Sequence, residues 1–191
     1  MPGLSYCDGP MAEVKPFVPV KLIVGIISSL EAAKAMAEEA LKAVYGPADL
    51  RSGVYSFNLT DYYNQQMGQG LDRYFLSFAR LVPPDSLSDI KVRTNALEEE
   101  LRNALTPERR VVNIDPGILT GSALIMATTK DFAHRIPLRH GIYAHLELLF
   151  AKKTVRLLPW TYPDFQNEDY QRFFLEVRRI YLGQLKSLDR K

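Results

Sequence analysis

Residues 20–47, VKLIVGIISSLEAAKAMAEEALKAVYGP, decide the fold class. Residues 20–27 are nearly continuous in β-branched and leucine side chains, the pattern of a strand covered on both faces. Ser28 and Glu31 fit a capping box, with Ser28 as the N-cap and Glu31 reaching back. Leu30, Ala33, Ala37, Ala40, Leu41 and Val44 then fall on one helical stripe, with the charges opposite. Gly46-Pro47 ends the helix, since glycine accepts a left-handed cap and proline cannot continue it. A strand feeding directly into a helix is the opening of an α/β or α+β domain.

Working outward, residues 54–59 read as a second strand, 60–70 as a polar loop and 73–81 as a third strand. Pro83-Pro84-Asp85 breaks the chain. Residues 88–105 predict a helix with Ile90, Leu97, Leu101 and Leu105 inward, or one that starts extended over 91–94. Residues 111–115 supply a fourth strand, which Asp115-Pro116-Gly117 ends as a turn. Strand-helix-strand-strand-helix-strand is the ferredoxin-like split βαβ order. Residues 123–128, 142–150 and 154–158 predict further strands, with hairpin connections at 139–141 and 151–153. A rigid aromatic loop, PWTYPDF, occupies 159–165. Asn167 then caps a last helix whose stripe of Tyr170, Phe173, Phe174, Val177, Tyr181 and Leu185 must pack on the sheet. The expectation is α+β: a ferredoxin-like βαββαβ first half, its antiparallel sheet extended by a C-terminal meander and closed by a helix. Residues 1–19 read as a flexible leader and 20–191 as one domain.

Composition narrows the classes. A chain of 191 residues can bury roughly 70% of its unfolded surface without staples. Apolar residues at 47% and charged ones at 24% exclude disorder for the bulk of it. A net charge of +2 is too small to argue for nucleic acid or membrane. The single cysteine, Cys7, excludes an internal disulfide and a cysteine-rich zinc site. The leader lacks the apolar run of a signal peptide, and no stretch nears the roughly 18 apolar residues of a membrane span. A reducing cytoplasm is the default.

The polar residues that can do chemistry gather in and around 110–138, RVVNIDPGILTGSALIMATTKDFAHRIPL. Asp115 at a sheet end can serve as general base, metal ligand or hydroxyl acceptor, and Asn113 shares its face. Thr128-Thr129-Lys130-Asp131 resembles the guanine-reading [NT]-K-x-D, but the aspartate comes one place early. No G-x-x-x-x-G-K-[ST] is present, so a conventional P-loop GTPase is rejected. The hydroxyls of Thr128 and Thr129 with Lys130 still suit one phosphate or carboxylate, and His134 with Arg135 can flank that anion. His134, His140 and His145 lack the spacing of a shared metal, so no metal site is assigned. Thr60-Asp61-Tyr62-Tyr63 forms a polar aromatic loop, with Asp61 as a second carboxylate and Tyr62 and Tyr63 as pocket wall. Trp160, Tyr162 and Asp164 either anchor the last helix or line the same pocket.

VNIDPGILT, ATTKDFAHRI, GIYAHLEL and LPWTYPDF, preceded by TDYYNQQMG and FARLVPPD, resemble the domain-of-unknown-function family 4416 of bacteria and archaea. The resemblance spans roughly residues 20–181. It implies a single-domain protein of uncharacterised function whose relatives are sometimes labelled GTP-binding, a label the motifs do not support. The phrases hold Asp61, Tyr62, Tyr63, Asn113, Asp115, Gly117, Thr128–Asp131, His134, Arg135, Tyr143, Trp160, Tyr162 and Asp164. His140 falls outside these phrases.

The leading expectation is a small-molecule site for an anionic or phosphorylated ligand. Lys130, His134 and Arg135 hold the anion, Asp115, His134 or Asp61 do any proton or metal chemistry, and Tyr62, Tyr63 and Trp160 form walls. Neither a reaction nor a cofactor is specified. The alternatives are a non-catalytic adaptor that binds a protein through its aromatic loops and sheet edge, and an RNA binder, disfavoured by the charge.

Overall fold

The computed structural model describes residues 13–58 and 64–188. Its elements are β1 (Val20–Ser28), α1 (Glu31–Tyr45), β2 (Ala48–Arg51), β3 (Tyr55–Ser56), the single turn α2 (Asn64–Met67), β4 (Asp72–Val82), α3 (Leu87–Leu105), β5 (Asn113–Leu119), β6 (Ala123–Thr128), β7 (Arg135–Pro137), β8 (Tyr143–Phe150), β9 (Val155–Leu157) and α4 (Glu168–Leu188). The chain is α+β. One antiparallel sheet runs in the order β2-β4-β1-β5-β6-β8-β7, with β3 beside β4 and β9 beside β8. The segment β2-β4-β1-β5 is the ferredoxin-like order, and β6 to β9 extend it as a meander. No helix among the described residues is long and apolar enough to cross a membrane.

The two faces of the sheet bury different cores. Leu22, Val24 and Ile26 of β1 and Tyr74, Leu76 and Phe78 of β4 meet Ala33, Ala37, Leu41, Leu97 and Leu101 of α1 and α3. The alternate residues Ile23 and Phe75 join Leu119, Leu124, Met126 and Leu148 under the aromatic stripe of α4. Period-two alternation in β1 and β4 thus serves two helical layers at once. Tyr170, Phe173, Phe174, Val177 and Tyr181 are buried as their spacing predicts. Asn167 Oδ1 accepts the N–H of Asp169 at 2.7 Å, the expected cap.

Several boundaries differ from expectation. The second strand is 48–51, and of the expected 54–59 strand Tyr55 and Ser56 pair with Arg73 and Asp72, while Val54, Phe57 and Asn58 are outside strands and Leu59 lies outside the described residues. Ser28 does not cap α1: the helix begins at Glu31 and the Ser28 hydroxyl donates to Val111 O at 2.7 Å. Val44 is 41% exposed, and Tyr45 takes its place in the buried stripe. Residues 91–94 are helical throughout, and a short strand, β7, forms within the polar segment before the 139–141 turn. There His140 and Gly141 both adopt positive φ, at 59° and 69°, as a tight hairpin requires.

The largest correction concerns Asp115-Pro116-Gly117, which is strand and not turn. Opposite β1, β5 is continuous, but it pairs with β6 only at Gly117, Ile118 and Leu119. Among the described residues, no strand pairs with the edge of residues 113–116. Helix α3 covers it instead: Glu98 Oε1 accepts the N–H of Ile114 at 2.8 Å, and Lys91 Nζ donates to Ile114 O at 2.9 Å. N–H groups alternate between strand edges, so the donor Pro116 lacks falls on this same open edge, where proline is tolerated. Gly117 is needed for close approach to β6. A Cβ there would stand 2.5 Å from Met126 Sδ and 2.8 Å from Ile125 O. Gly117→Ala should cost about 1–3 kcal/mol through overpacking, read as a lower denaturation midpoint with an unchanged m-value.

Candidate functional site

β5 and β6 separate beyond Gly117, and α4 covers only the apolar part of its sheet face. A cavity of about 530 Å³ lies in the remaining space, with the aromatic loop after β9 as its roof. That volume suits a drug-sized ligand. Polar residues reach it from the same strands whose apolar neighbours build the core. Arg73 alternates with Phe75 on β4, Asn113 and Asp115 precede Gly117 on β5, and His145 on β8 pairs with Met126.

Asp115 is the hub. Its Oδ2 accepts Asn113 Nδ2 at 2.6 Å and lies 3.7 Å from Arg73 Nη2, and its Oδ1 is 3.4 Å from Lys91 Nζ. Burial pushes its carboxyl up, but Lys91, Arg73, the Asn113 amide and Arg110 outweigh that and hold it below its ordinary value. The unfolded chain therefore binds the Asp115 proton more tightly than the folded one. The stability this group contributes is present above its unfolded pKa and disappears as pH falls through the lower folded value. Asp115→Asn should flatten the acid limb below about pH 4 in urea titrations across pH. Glu98, beneath Arg110, shows the opposite balance: burial outweighs its cations and raises its pKa.

Arg73, 4% exposed, ion-pairs Asp164 as well as Asp115 and lies over Phe75 and Phe165, each ring centroid 4.8 Å from its guanidinium carbon. Arg110 bonds Glu98, Val112 O and Asn113. Lys130 is exposed at the rim, its N–H donating to Thr128 Oγ1 at 3.2 Å.

Of the residues expected from sequence, Asn113, Asp115, Thr128, Thr129 and Lys130 line this cavity. His134, Arg135 and Trp160 are not among its lining residues and form an adjoining cluster around His145. His134 Nε2 is 3.2 Å from His145 Nδ1, and its ring stacks on Trp160 at 4.9 Å and 8°. The Arg135 guanidinium donates to His145 Nδ1 (3.3 Å), Lys130 O (2.8 Å) and the Tyr162 hydroxyl (2.6 Å), so it acts as a strut behind the wall. Trp160 Nε1 donates to Leu146 O at 2.8 Å. Asp61, Tyr62 and Tyr63 lie outside the described residues, as does Cys7. His140 stands apart on the exposed turn, 3.3 Å from Asp89.

Sequence reasoning missed Arg73, Lys91, Asn95, Arg110, His145 and the roof residues Pro163 and Phe165. It also missed Glu147, fully buried behind His145: Oε2 is 2.9 Å from His145 Nε2, out of hydrogen-bond alignment, and Oε1 accepts the Tyr162 N–H at 2.7 Å. A glutamate at an inward position of the apolar run LELLF was the available signal. Among the described residues no group of three or more His, Cys, Asp or Glu is placed to hold a metal ion.

No curated protein and no solved structure matches the chain. The sequence does match a family described as a domain of unknown function, DUF4416, over residues 18–181. Nearly the whole described fold, from β1 into α4 and with every residue of the cavity wall, lies within that match, so the chain belongs to the DUF4416 family.

Proposed function

We propose that the cavity binds a small anionic molecule, with a phosphate or carboxylate at the rim formed by Thr128, Thr129 and Lys130. The observation that carries this reading is the charge of the walls. Arg73, Lys91, Arg110 and Lys130 face the same 530 Å³ as two carboxylates among the described residues, Asp115 and Asp164. Both carboxylates ion-pair with Arg73, and Arg110 with Glu98, so guanidinium and ammonium groups make up most of the charged wall that a ligand would meet. Phe57, Tyr162 and Phe165 supply apolar wall for the rest of the molecule. With its pKa lowered and both oxygens near donors, Asp115 suits accepting a ligand hydroxyl better than abstracting a proton.

The test is a thermal-shift screen with nucleotides, phosphorylated metabolites and carboxylates, with and without divalent metals. A ligand at 100 times its Kd should add about 2.7 kcal/mol. Lys130→Ala should weaken the response at least several-fold while leaving the unliganded midpoint in place, because Lys130 is exposed. The absence of any response would favour an adaptor. That second reading has its own support: Phe132 and Ile136 are 64% and 65% exposed near the β7 edge.

A further inference from the structure

The His145 cluster has a definite protonation pattern. Arg135 Nε–H can only donate, so His145 Nδ1 must accept and the ring proton sits on Nε2, facing Glu147. The 3.2 Å contact then makes His134 Nε2 a second donor to the same Nδ1. That leaves His134 Nδ1 as the basic atom of the pair. His134 is half-buried, whereas His145 is 1% exposed and lines the cavity. A proton arriving at His134 Nδ1 breaks no hydrogen bond, and the imidazolium can delocalise its charge toward His145 through the existing Nε2–H.

We propose that anion binding in the cavity is coupled to protonation of the His134–His145 pair, so that an oxyanion in the cavity favours proton uptake there. This rests on reading the cavity as an anion site. The proton comes from bulk solvent and no covalent bond to the ligand forms. The groups facing the pair are Glu147 on β8, Arg135 on β7 and Tyr162 on the roof, while β6 opposes His145 with the neutral Met126. In the free protein, burial, His145 and Arg135 together hold the His134 pKa below its ordinary value. An anion in the cavity counters the field of Arg135 and raises the proton affinity of His134. By linkage the proton must then strengthen the anion to the same extent.

Sulfate is the probe, because its charge is constant across the range in which histidine titrates. Calorimetry should give a sulfate affinity about five-fold tighter near pH 5.5 than near pH 8, with proton uptake visible in buffers of different ionisation enthalpy. Saturating sulfate should also move the imidazole ¹⁵N titration of the wild-type pair to higher pH, a readout that needs no variant. His134→Phe, which keeps a ring against Trp160, and His145→Gln should each flatten the pH dependence, while His140→Gln should leave it. Sulfate binding with a pH-independent Kd and an unmoved imidazole titration would overturn the coupling alone. No sulfate binding at any pH would overturn the anion site itself, and the coupling with it.

Discussion

Arg73→Leu should lower the unfolding free energy by about 3–5 kcal/mol, because it strands two carboxylates that the buried guanidinium now neutralises. Asp164 has the most to lose: it is 8% exposed and ion-paired to Arg73 Nη1. Asp115 keeps Lys91 and Asn113 and is therefore hurt less. The variants should be strongly non-additive. Adding Asp164→Asn to Arg73→Leu should recover a substantial part of the loss, since the cost of a broken buried pair is largely that of the charge left behind. Denaturant titrations of the four proteins in the cycle provide the measurement. A double variant as unstable as the sum of the singles would mean that Arg73 acts by packing on Phe75 and Phe165 and not as the bridge between two acids.

The parts of this fold that follow local rules were legible in the sequence. The unbroken apolar run of β1, the Asn167 cap, the aromatic stripe of α4 and the two hairpins each rest on a period or a cap contained within a few residues. Asp115-Pro116-Gly117 was misread for the same reason. Locally it has the composition of a turn, and what makes it strand is remote: β1 along one edge, and Glu98 and Lys91 reaching from α3 to the other. On a helix, those two side chains are ordinary polar positions. Arg73 carries no local signal either, because an arginine between apolar strand residues reads as solvent-facing until α4 and the loop with Asp164 cover that face. The candidate site divided similarly. Residues clustered along 113–130 were found together, whereas Arg73, Lys91 and His145, which arrive from three other elements, were not. Arg135 was expected at the anion, but its partners at Lys130 O, Tyr162 and His145 are set by β7 pairing with β8, a strand too short to show a period.

Phe75→Ala should cost about 3–5 kcal/mol and, unlike a comparable deletion on the other face, should also loosen the cavity roof. Phe75 is fully buried, with ring centroids of Tyr170, Phe174, Phe165 and Phe173 at 4.8, 5.0, 5.7 and 5.9 Å. It is thus the point on β4 where the roof loop and the first turns of α4 both rest. Phe78, three residues on, is equally buried but belongs to the core under α1, edge-on to Tyr45 at 5.9 Å. Both truncations remove the same atoms from a close-packed interior, so their costs should fall in the same range. Hydrogen exchange should separate them, with protection lost first along residues 163–175 in Phe75→Ala and along α1 in Phe78→Ala. Ligand-induced stabilisation should fall in the first variant and persist in the second, because Asp164 and Phe165 roof the cavity and α1 contributes no residue to its lining. Equal loss in both would mean that the cavity depends on global stability. Loss confined to Phe75→Ala would tie its shape to the docking of α4.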